Sequence, residues 1–246
     1  MLDTKFWKKY FEVYDFLNVL EPYQKLLGAF TDELGDIHGK KILDAGTGTG
    51  NLALLLEKRG AKVVGLDFSK EGLEIFKKKL PNNQTIFHDL TKPLPLPNES
   101  FDAIVSNNTI YTLPLEIRPT AFREFFRVLK PNGKIVVSNV REGWKPFAIY
   151  LTHIRWSIKE KGIIKTIANI LRLLIPTLKI FYYNYLIQKE NRNRAYSFIK
   201  PAEQQKLLQS AGFSNISENH SVYANQAILN SAINLDGGID FTQKSV

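Results

Sequence analysis

The spacing of apolar positions along the chain changes character repeatedly, and each change marks an element. From Lys41 to Val140 short β-branched runs alternate with helical stretches, the pattern of βα units built on a parallel sheet. Strands are predicted at 41–46 (KILDAG), 62–67 (KVVGLD), 84–89 (QTIFHD), 101–106 (FDAIVS) and 133–140 (GKIVVSNV). Helices are predicted between them over 50–59, over 69–79 with Ser69 as N-cap, and over 116–129, ending before Pro131-Asn132-Gly133. The rhythm then stops for some sixty residues. It resumes with a helix from Pro201 to Ala211 and strands at 214–222 and 225–232, where Ala224-Asn225 gives the tight link of an antiparallel hairpin. Two further helices precede the first strand, at 4–18 and 22–34, with Pro22 near the start of the second. The picture is one α/β domain over 1–246 with a helical cap at 1–38, a helical insertion at 141–200 and a tail of flexible composition at 233–246.

Composition excludes several chemistries. Hydrophobic residues make up 44% of the chain, ample for a packed core. The absence of cysteine rules out disulfides, thiolate metal ligands and thiol nucleophiles. His38, His88, His153 and His220 are scattered without metal-ligand spacing, so no metal is expected. No apolar run reaches the length of a spanning helix, and no small-residue cleavage site follows the first residues, so no signal peptide is expected. The net charge of +9 is more telling, because residues 141–200 hold twelve basic and three acidic side chains while the flanking parts are nearly balanced. A positive region confined to one stretch points to an anionic partner there, such as a phospholipid surface, a nucleic acid or an acidic substrate.

The segment Ile42 to Gly50 (ILDAGTGTG) carries the most specific chemistry. A strand that ends in Asp44-Ala45-Gly46-Thr47-Gly48-Thr49-Gly50 and runs into a helix brings backbone close to a nucleotide-like ligand. Asp44 would repel a pyrophosphate but suits an ammonium group, which favours a cofactor bearing an amino acid. Asp67, at the end of the second strand, can accept both hydroxyls of a ribose. Asp89, at the end of the third, can accept the amino group of adenine while the backbone of Leu90 pairs with the ring.

With ILDAGTGTGNLALLL, VVGLDFSKEGLE, HDLTKPLPLPNESFDAIVSNNTIYTL and AFREFFRVLKPNGKIVVSN in this order, the chain resembles the class I S-adenosylmethionine-dependent methyltransferases, in particular the small-molecule group that includes the ubiquinone and menaquinone methyltransferases. The resemblance covers residues 40–140 well and 201–232 loosely. It implies a doubly wound, mostly parallel seven-stranded sheet of order 3-2-1-4-5-7-6 with the last strand antiparallel. It also implies S-adenosylmethionine as cofactor and S-adenosylhomocysteine as product, bound by Asp44, Gly46, Thr47, Gly48, Gly50, Asp67, Phe68, Asp89, Leu90 and Asn107. Within that set Gly46 and Gly48 would contact the methionine part, Asp44 its amino group, Phe68 a face of the adenine, and Asn107 the sulfonium end. The family often places a histidine or an aromatic pair just beyond the fourth strand. Here the residues are Tyr111-Thr112, which removes a histidine base from that position. Tyr14-Asp15 resembles an amino-terminal pair that lies near the cofactor in the quinone enzymes. Tyr10, Tyr14, Asn108 and Tyr111 are then the expected acceptor pocket, with Tyr111 or Tyr14 as base if one is used. Since the sulfonium is already a strong electrophile, alignment in an apolar pocket can supply most of the acceleration.

The insertion leaves alternatives open. Ile163, Ile167, Ile170, Leu174, Leu178 and Phe181 recur at helical spacing, with Lys165, Arg172 and Lys179 every seven residues on another face and Pro176 as a kink or break. One reading is a lid over the pocket that also lies on an anionic membrane, and its rival is an ordinary amphipathic cap with a solvated face. The expected reaction is methyl transfer to a small, largely apolar acceptor, a lipid or quinone-like molecule, in the cytoplasm or peripherally at a membrane. The alternatives are an RNA methyltransferase that uses the basic insertion, and a silent cofactor-fold adaptor. The interleaving of charges with long aliphatics, and Ser106-Asn107-Asn108-Thr109 in place of a base-amine motif, disfavour nucleic acid. Oligomeric state is not written in the sequence.

Overall fold

Runs of Val, Ile and Leu bounded by glycine or turn residues become strands near the predicted positions. The structure, a computed structural model, describes residues 4–192, 197–200 and 202–235. Strands β1 (Lys41–Ala45), β2 (Lys62–Asp67), β3 (Thr85–Phe87), β4 (Phe101–Asn107), β5 (Leu129–Val140), β6 (His220–Val222) and β7 (Ala227–Ile233) form one sheet of order β3-β2-β1-β4-β5-β7-β6. Strands β1 to β5 pair in parallel, and β7 runs antiparallel to both β5 and β6. This is the order and the antiparallel last strand that the resemblance implied. The order reverses at β1, which lies between β2 and β4, so the carboxyl ends of these three strands border one crevice.

Helices α1 (Thr4–Tyr14), α2 (Glu21–Leu34), α3 (Asn51–Lys58), α4 (Lys70–Lys79), α5 (Arg118–Val128), α6 (Pro146–Lys161), α7 (Ile163–Arg172), α8 (Leu174–Arg192) and α9 (Glu203–Ser210) complete the chain. Ser69 caps α4 as predicted, its hydroxyl accepting the Gly72 N–H at 3.1 Å. Phe76 of α4, Phe122 and Phe125 of α5, Leu26 and Phe30 of α2 and Leu56 of α3 are all fully buried. Each such side chain contributes about 1.5–3 kcal/mol on leaving water. Among the described residues no helix is long and apolar enough to cross a membrane.

Several boundaries differ from the sequence prediction, each for a local reason. The first helix stops at Tyr14 and continues as a 3₁₀ turn over Asp15–Val19, because the Asp15 carboxylate is drawn to Thr49 and Lys79. The third strand shrinks to three residues as Asp89 accepts the Thr91 N–H and turns the chain. Strand β5 begins at Leu129, so Pro131-Asn132-Gly133 is a kink within a strand and not the link before one. Its register against β4 jumps between Phe101 and Ala103, and the Asn132 N–H and the Asn234 amide stitch the kink to the end of β7.

Of the predicted strand 214–222, only a bridge at Ser214 and the three residues of β6 form. The Asn230 amide donates to the Ser217 and Glu218 carbonyls and to the Asn219 side chain, taking the place of ladder bonds. The hairpin link is longer than Ala224-Asn225, with Tyr223, Ala224 and Asn225 all at positive φ and β7 starting at Ala227. The carboxyl-terminal helix begins at Glu203, and Pro201 lies outside the described residues, as do 236–246 of the predicted tail. The insertion is three helices broken at Gly162 and Leu173. Pro176 lies in the first turn of α8, and because it has no N–H for the Arg172 carbonyl and its ring crowds that carbonyl, the helical run splits at Leu173, the break that Pro176 led one to expect.

Arg118 fastens the far side of the crevice. Its fully buried guanidinium donates to the carbonyls of Leu113, Tyr111 and Ser197, and pairs with Glu203 of α9 at 2.6 Å. One side chain thus holds the segment after β4 against the segment that follows the insertion. Replacing it takes donors from three carbonyls and from one Glu203 oxygen, leaving the Tyr111 carbonyl only the longer bond from the Ser197 N–H and Glu203 only that from the Lys200 N–H. Arg118→Leu is expected to lower unfolding free energy by about 3 kcal/mol in chemical denaturation, and Glu203→Gln by less. A loss below about 1 kcal/mol for Arg118→Leu would show that the staple is dispensable.

Candidate active site

The glycine loop sits where β1 delivers it. The Gly46 and Thr47 N–H groups donate to the Leu66 carbonyl at 2.8 and 3.0 Å, which ties the loop to β2. Gly46 and Gly50 have φ of 81° and 78°. A Cβ on Gly46 would lie 2.2 Å from the Thr109 hydroxyl oxygen, and one on Gly50 2.5 Å from the Phe76 ring. Neighbouring side chains therefore demand glycine at these two positions before any ligand does, a reason the sequence could not supply. The ring of Phe11, from α1, lies over Gly48 and Gly72.

Two buried carboxylates flank the loop. Asp44 accepts the Thr47 hydroxyl at 2.6 Å, and burial pushes its acid up to about 7, against the pull of that hydrogen bond. Asp67 accepts the Gly48 N–H at 2.8 Å on one oxygen and the Ser69 N–H at 2.9 Å on the other. Burial raises it to about 6, with these N–H groups working in the opposite direction. A third carboxylate, Asp15, accepts the Thr49 hydroxyl and the Lys79 ammonium, each at 2.7 Å. Lys79 and the Asn18 amide also donate to the Asn51 side chain, so a polar network joins the cap, the loop and α4.

The crevice opens into a cavity of about 220 Å³ that brings most of the predicted residues together. Asp44, Gly46, Thr47, Gly48, Asp67, Phe68, Asp89, Leu90 and Asn107 line it, as do Tyr14, Asn108, Tyr111 and Tyr10. Gly50 does not line it and acts as the left-handed N-cap residue of α3. Phe68 is partly exposed and meets Trp7 edge-on, while Asp89 is exposed and engaged in its turn. The Asn108 amide oxygen accepts the Val140 N–H at 3.0 Å, so it braces β5 as well as lining the wall. Tyr14 accepts the Tyr23 hydroxyl at 3.3 Å, and burial pushes its phenol well above the ordinary range. Tyr10 is raised in the same way. These phenols stay protonated at neutral pH, which gives Tyr14 the chemistry of a hydrogen-bonding group and not of a base.

Sequence reasoning missed Tyr23, Tyr223, Thr109, His88 and Asn184, all on the cavity wall. Tyr223 and Asn184 come from the hairpin turn and α8, remote in sequence from the crevice. His88 was the legible one, since it precedes Asp89 directly. The Asn107 side-chain amide oxygen and the His88 Nε2 are buried without hydrogen-bond partners. Buried acids together with an acceptor oxygen that lacks a donor suit a ligand that brings a positive charge and N–H and O–H groups. S-adenosylmethionine has that character. Among the described residues no three acidic or histidine side chains gather to hold a metal.

A sheet of this order with this loop at its switch point defines a nucleotide-type cofactor enzyme of the methyltransferase class. Residues 43–137 match the family described as a methyltransferase domain. The demethylmenaquinone methyltransferase of Chlorobaculum parvum is 31% identical over 210 residues, covering 81% of this chain and 79% of that one. An uncharacterized methyltransferase of Alkaliphilus oremlandii is 32% identical over 126 residues, where the match spans 51% of this chain and only 57% of the relative. In fold, the chain is similar to an S-adenosylmethionine-dependent methyltransferase of Thermotoga maritima, with a TM-score of 0.61 at 19% identity over 94% of this chain and 99% of that one. The protein belongs to the class I S-adenosylmethionine-dependent methyltransferases.

With Asp44 and Asp67 raised, cofactor binding is expected to depend on pH. Above the ordinary carboxylate range the unfolded chain has shed protons that folded Asp44 and Asp67 still hold. Their contribution to stability is therefore largest on the acid side and is lost as pH rises through about 6 and 7. A cationic ligand favours the ionised acids, so affinity for S-adenosylmethionine should rise across the same window with release of protons. Calorimetry near pH 6 in buffers of different ionisation enthalpy reads this directly, and equal heats in all buffers would refute it. Asp67→Ala should weaken binding roughly tenfold or more, since it removes charge-assisted hydrogen bonds. Unchanged affinity would remove Asp67 from the cofactor site.

Proposed function

We propose that the protein transfers the methyl group of S-adenosylmethionine to a small, largely apolar acceptor, a lipid or quinone-like molecule. The observation that carries this reading is the wall beside the glycine loop, where Trp7, Tyr10, Tyr14, Tyr111, Trp144 and Tyr223 surround one cavity. Such a wall buries a ring or an alkyl chain and leaves a few hydroxyls to orient it. Tyr183 of α8 packs edge-on against Phe6 and Tyr10 of α1, at 5.5 and 5.8 Å between ring centres, so the cap and the insertion close over the cavity together.

S-adenosylmethionine, when bound, supplies an activated methyl group. Asp44, Asp67 and Phe68 orient its ends, Asn107 offers an acceptor oxygen beside the reacting region, and the aromatic wall aligns the acceptor and excludes water. Tyr14, kept as a phenol, hydrogen-bonds an acceptor oxygen, and Tyr111 lines the same cavity. Catalysis then rests on alignment and not on proton abstraction by tyrosine. The name of the Chlorobaculum relative supports a quinone acceptor. Acceptors of this kind reside in bilayers, and the reading extends to peripheral attachment at a membrane through residues 141–200.

Incubation with isotopically labelled S-adenosylmethionine and demethylmenaquinone chemically reduced to its quinol, the electron-rich form that can attack the methyl group and release a proton, followed by mass spectrometry, tests the proposal. Label is expected on the quinone, with kcat for Tyr14→Phe lowered roughly tenfold at unchanged cofactor affinity, the effect of one lost hydrogen bond. Transfer to RNA but to no quinone or lipid would replace this reading with the nucleic-acid one. No heat on titration with the cofactor would leave the adaptor reading instead.

A further inference from the structure

Helix α7 is built with its polarity reversed. Thr166 is buried and its hydroxyl lies 2.9 Å from that of Ser157 on α6, while Ile164 is 85% exposed and Leu171 67% exposed. Helix α8 repeats the pattern in its first turn, with Thr177 buried against the Tyr150 hydroxyl and Ile175 68% exposed, while further along it buries Ile180 and Ile187 inward. The exposed side is ordered. Ile164, Ile167 and Leu171 follow at steps of three and four residues on α7, and Leu174, Leu178 and Tyr182 at steps of four on α8, so each helix presents a continuous apolar stripe. An ordinary cap would turn these stripes inward and its threonines outward. A contiguous apolar surface of this kind marks a place where something apolar docks.

The charges say what docks. Between Glu160 and Glu190 the chain has five basic residues and no acidic one. Lys165, Arg172 and Lys179 each directly follow a stripe residue, about 100° round the helix, and all are exposed. They form a positive rim from which long side chains can reach anionic groups while their stems lie along the apolar face. A second copy of the chain would bring two such rims together and repel. We infer that the outer face of α7 and α8 docks on the anionic leaflet of a lipid bilayer, with the aliphatic stripes at the acyl boundary and the basic rim on phosphate headgroups.

This rests on the reading of an apolar, bilayer-resident acceptor and deepens it. Helix α8 carries Leu178 and Tyr182 on its outer side and Asn184 on the cavity wall. Docking would therefore set the acceptor cavity one helix diameter, about 10 Å, from the headgroups.

Co-sedimentation of the full chain with vesicles of phosphatidylcholine alone, or mixed with phosphatidylglycerol, tests the docking. Binding is expected to be roughly tenfold or more tighter on the mixed vesicles and to weaken with salt. The pair Ile164→Ser with Leu171→Ser, and separately Lys165→Glu with Arg172→Glu, should each lose that binding roughly tenfold. Because all four side chains are exposed, melting temperature and S-adenosylmethionine affinity should not move. Equal partitioning of wild type and both variants overturns the proposal. So does self-association by sedimentation that the serine pair abolishes without any vesicle binding, or RNA binding that the glutamate pair abolishes without any vesicle binding. Vesicle binding without methylation of any quinone or lipid would sink the acceptor reading alone. Methylation in detergent by a chain that ignores vesicles would sink the docking alone.

Discussion

Asp67 holds the site together through two backbone hydrogen bonds. One oxygen takes the Gly48 N–H at the tip of the glycine loop, and the other takes the Ser69 N–H at the start of α4. The end of β2 thereby fixes the loop from β1 and the first turn of the next helix in one stroke. The Gly48 carbonyl then comes close to Gly72, and the Phe11 ring fills the groove between them, so the cap depends on the same clamp. The cost is a buried carboxylate whose pKa is raised, which backbone donors offset only in part. An active site that receives a cation can carry such strain, because the ligand supplies the missing compensation.

Around this clamp the amino-terminal segment behaves as part of the crevice and not as an appendage. Asp15 links Thr49 of the loop to Lys79 of α4, and Asn51 gathers hydrogen bonds from Asn18 and Lys79. Tyr23, on α2, donates to Tyr14, and the Asn51 amide reaches back toward Tyr23 at 3.5 Å. Aromatic contacts from Phe6 through Tyr10 to Tyr14 continue the arrangement outward to α8. Polar bonds set the register of the cap, and apolar rings supply its burial.

Much of this was legible because it follows from local pattern. The runs KILDA, KVVGLD and FDAIVSN alternate or cluster strongly enough to name their strands, and Ser69 announced its helix. Illegible parts depend on partners far along the chain. Residues 214–219 read as a strand until the Asn230 amide is seen to occupy the Ser217 and Glu218 carbonyls, leaving only the bridge at Ser214. The Pro131-Asn132-Gly133 turn became a kink because Asn234, a hundred residues later, satisfies it. In the insertion the periodicity was plain but its direction was not. Spacing shows that Ile167 and Leu178 share a face with their neighbours, yet only the packing of Thr166 and Thr177 shows which way the face points. For the site, the strand-end acids were readable, whereas Tyr223 and Asn184 arrive from elements whose placement depends on the whole fold.

The chain has three tryptophans, and their placement gives the molecule an optical property. Trp7 and Trp144 are buried in the wall of the cavity. Trp156 instead stacks on His153 at 5.7 Å and lies under the Lys161 ammonium at 4.9 Å, away from the cavity. Two of the three indoles thus face the cavity, and the third stands apart from it on α6. Whatever enters or leaves that cavity is written in the colour and intensity of light the protein emits.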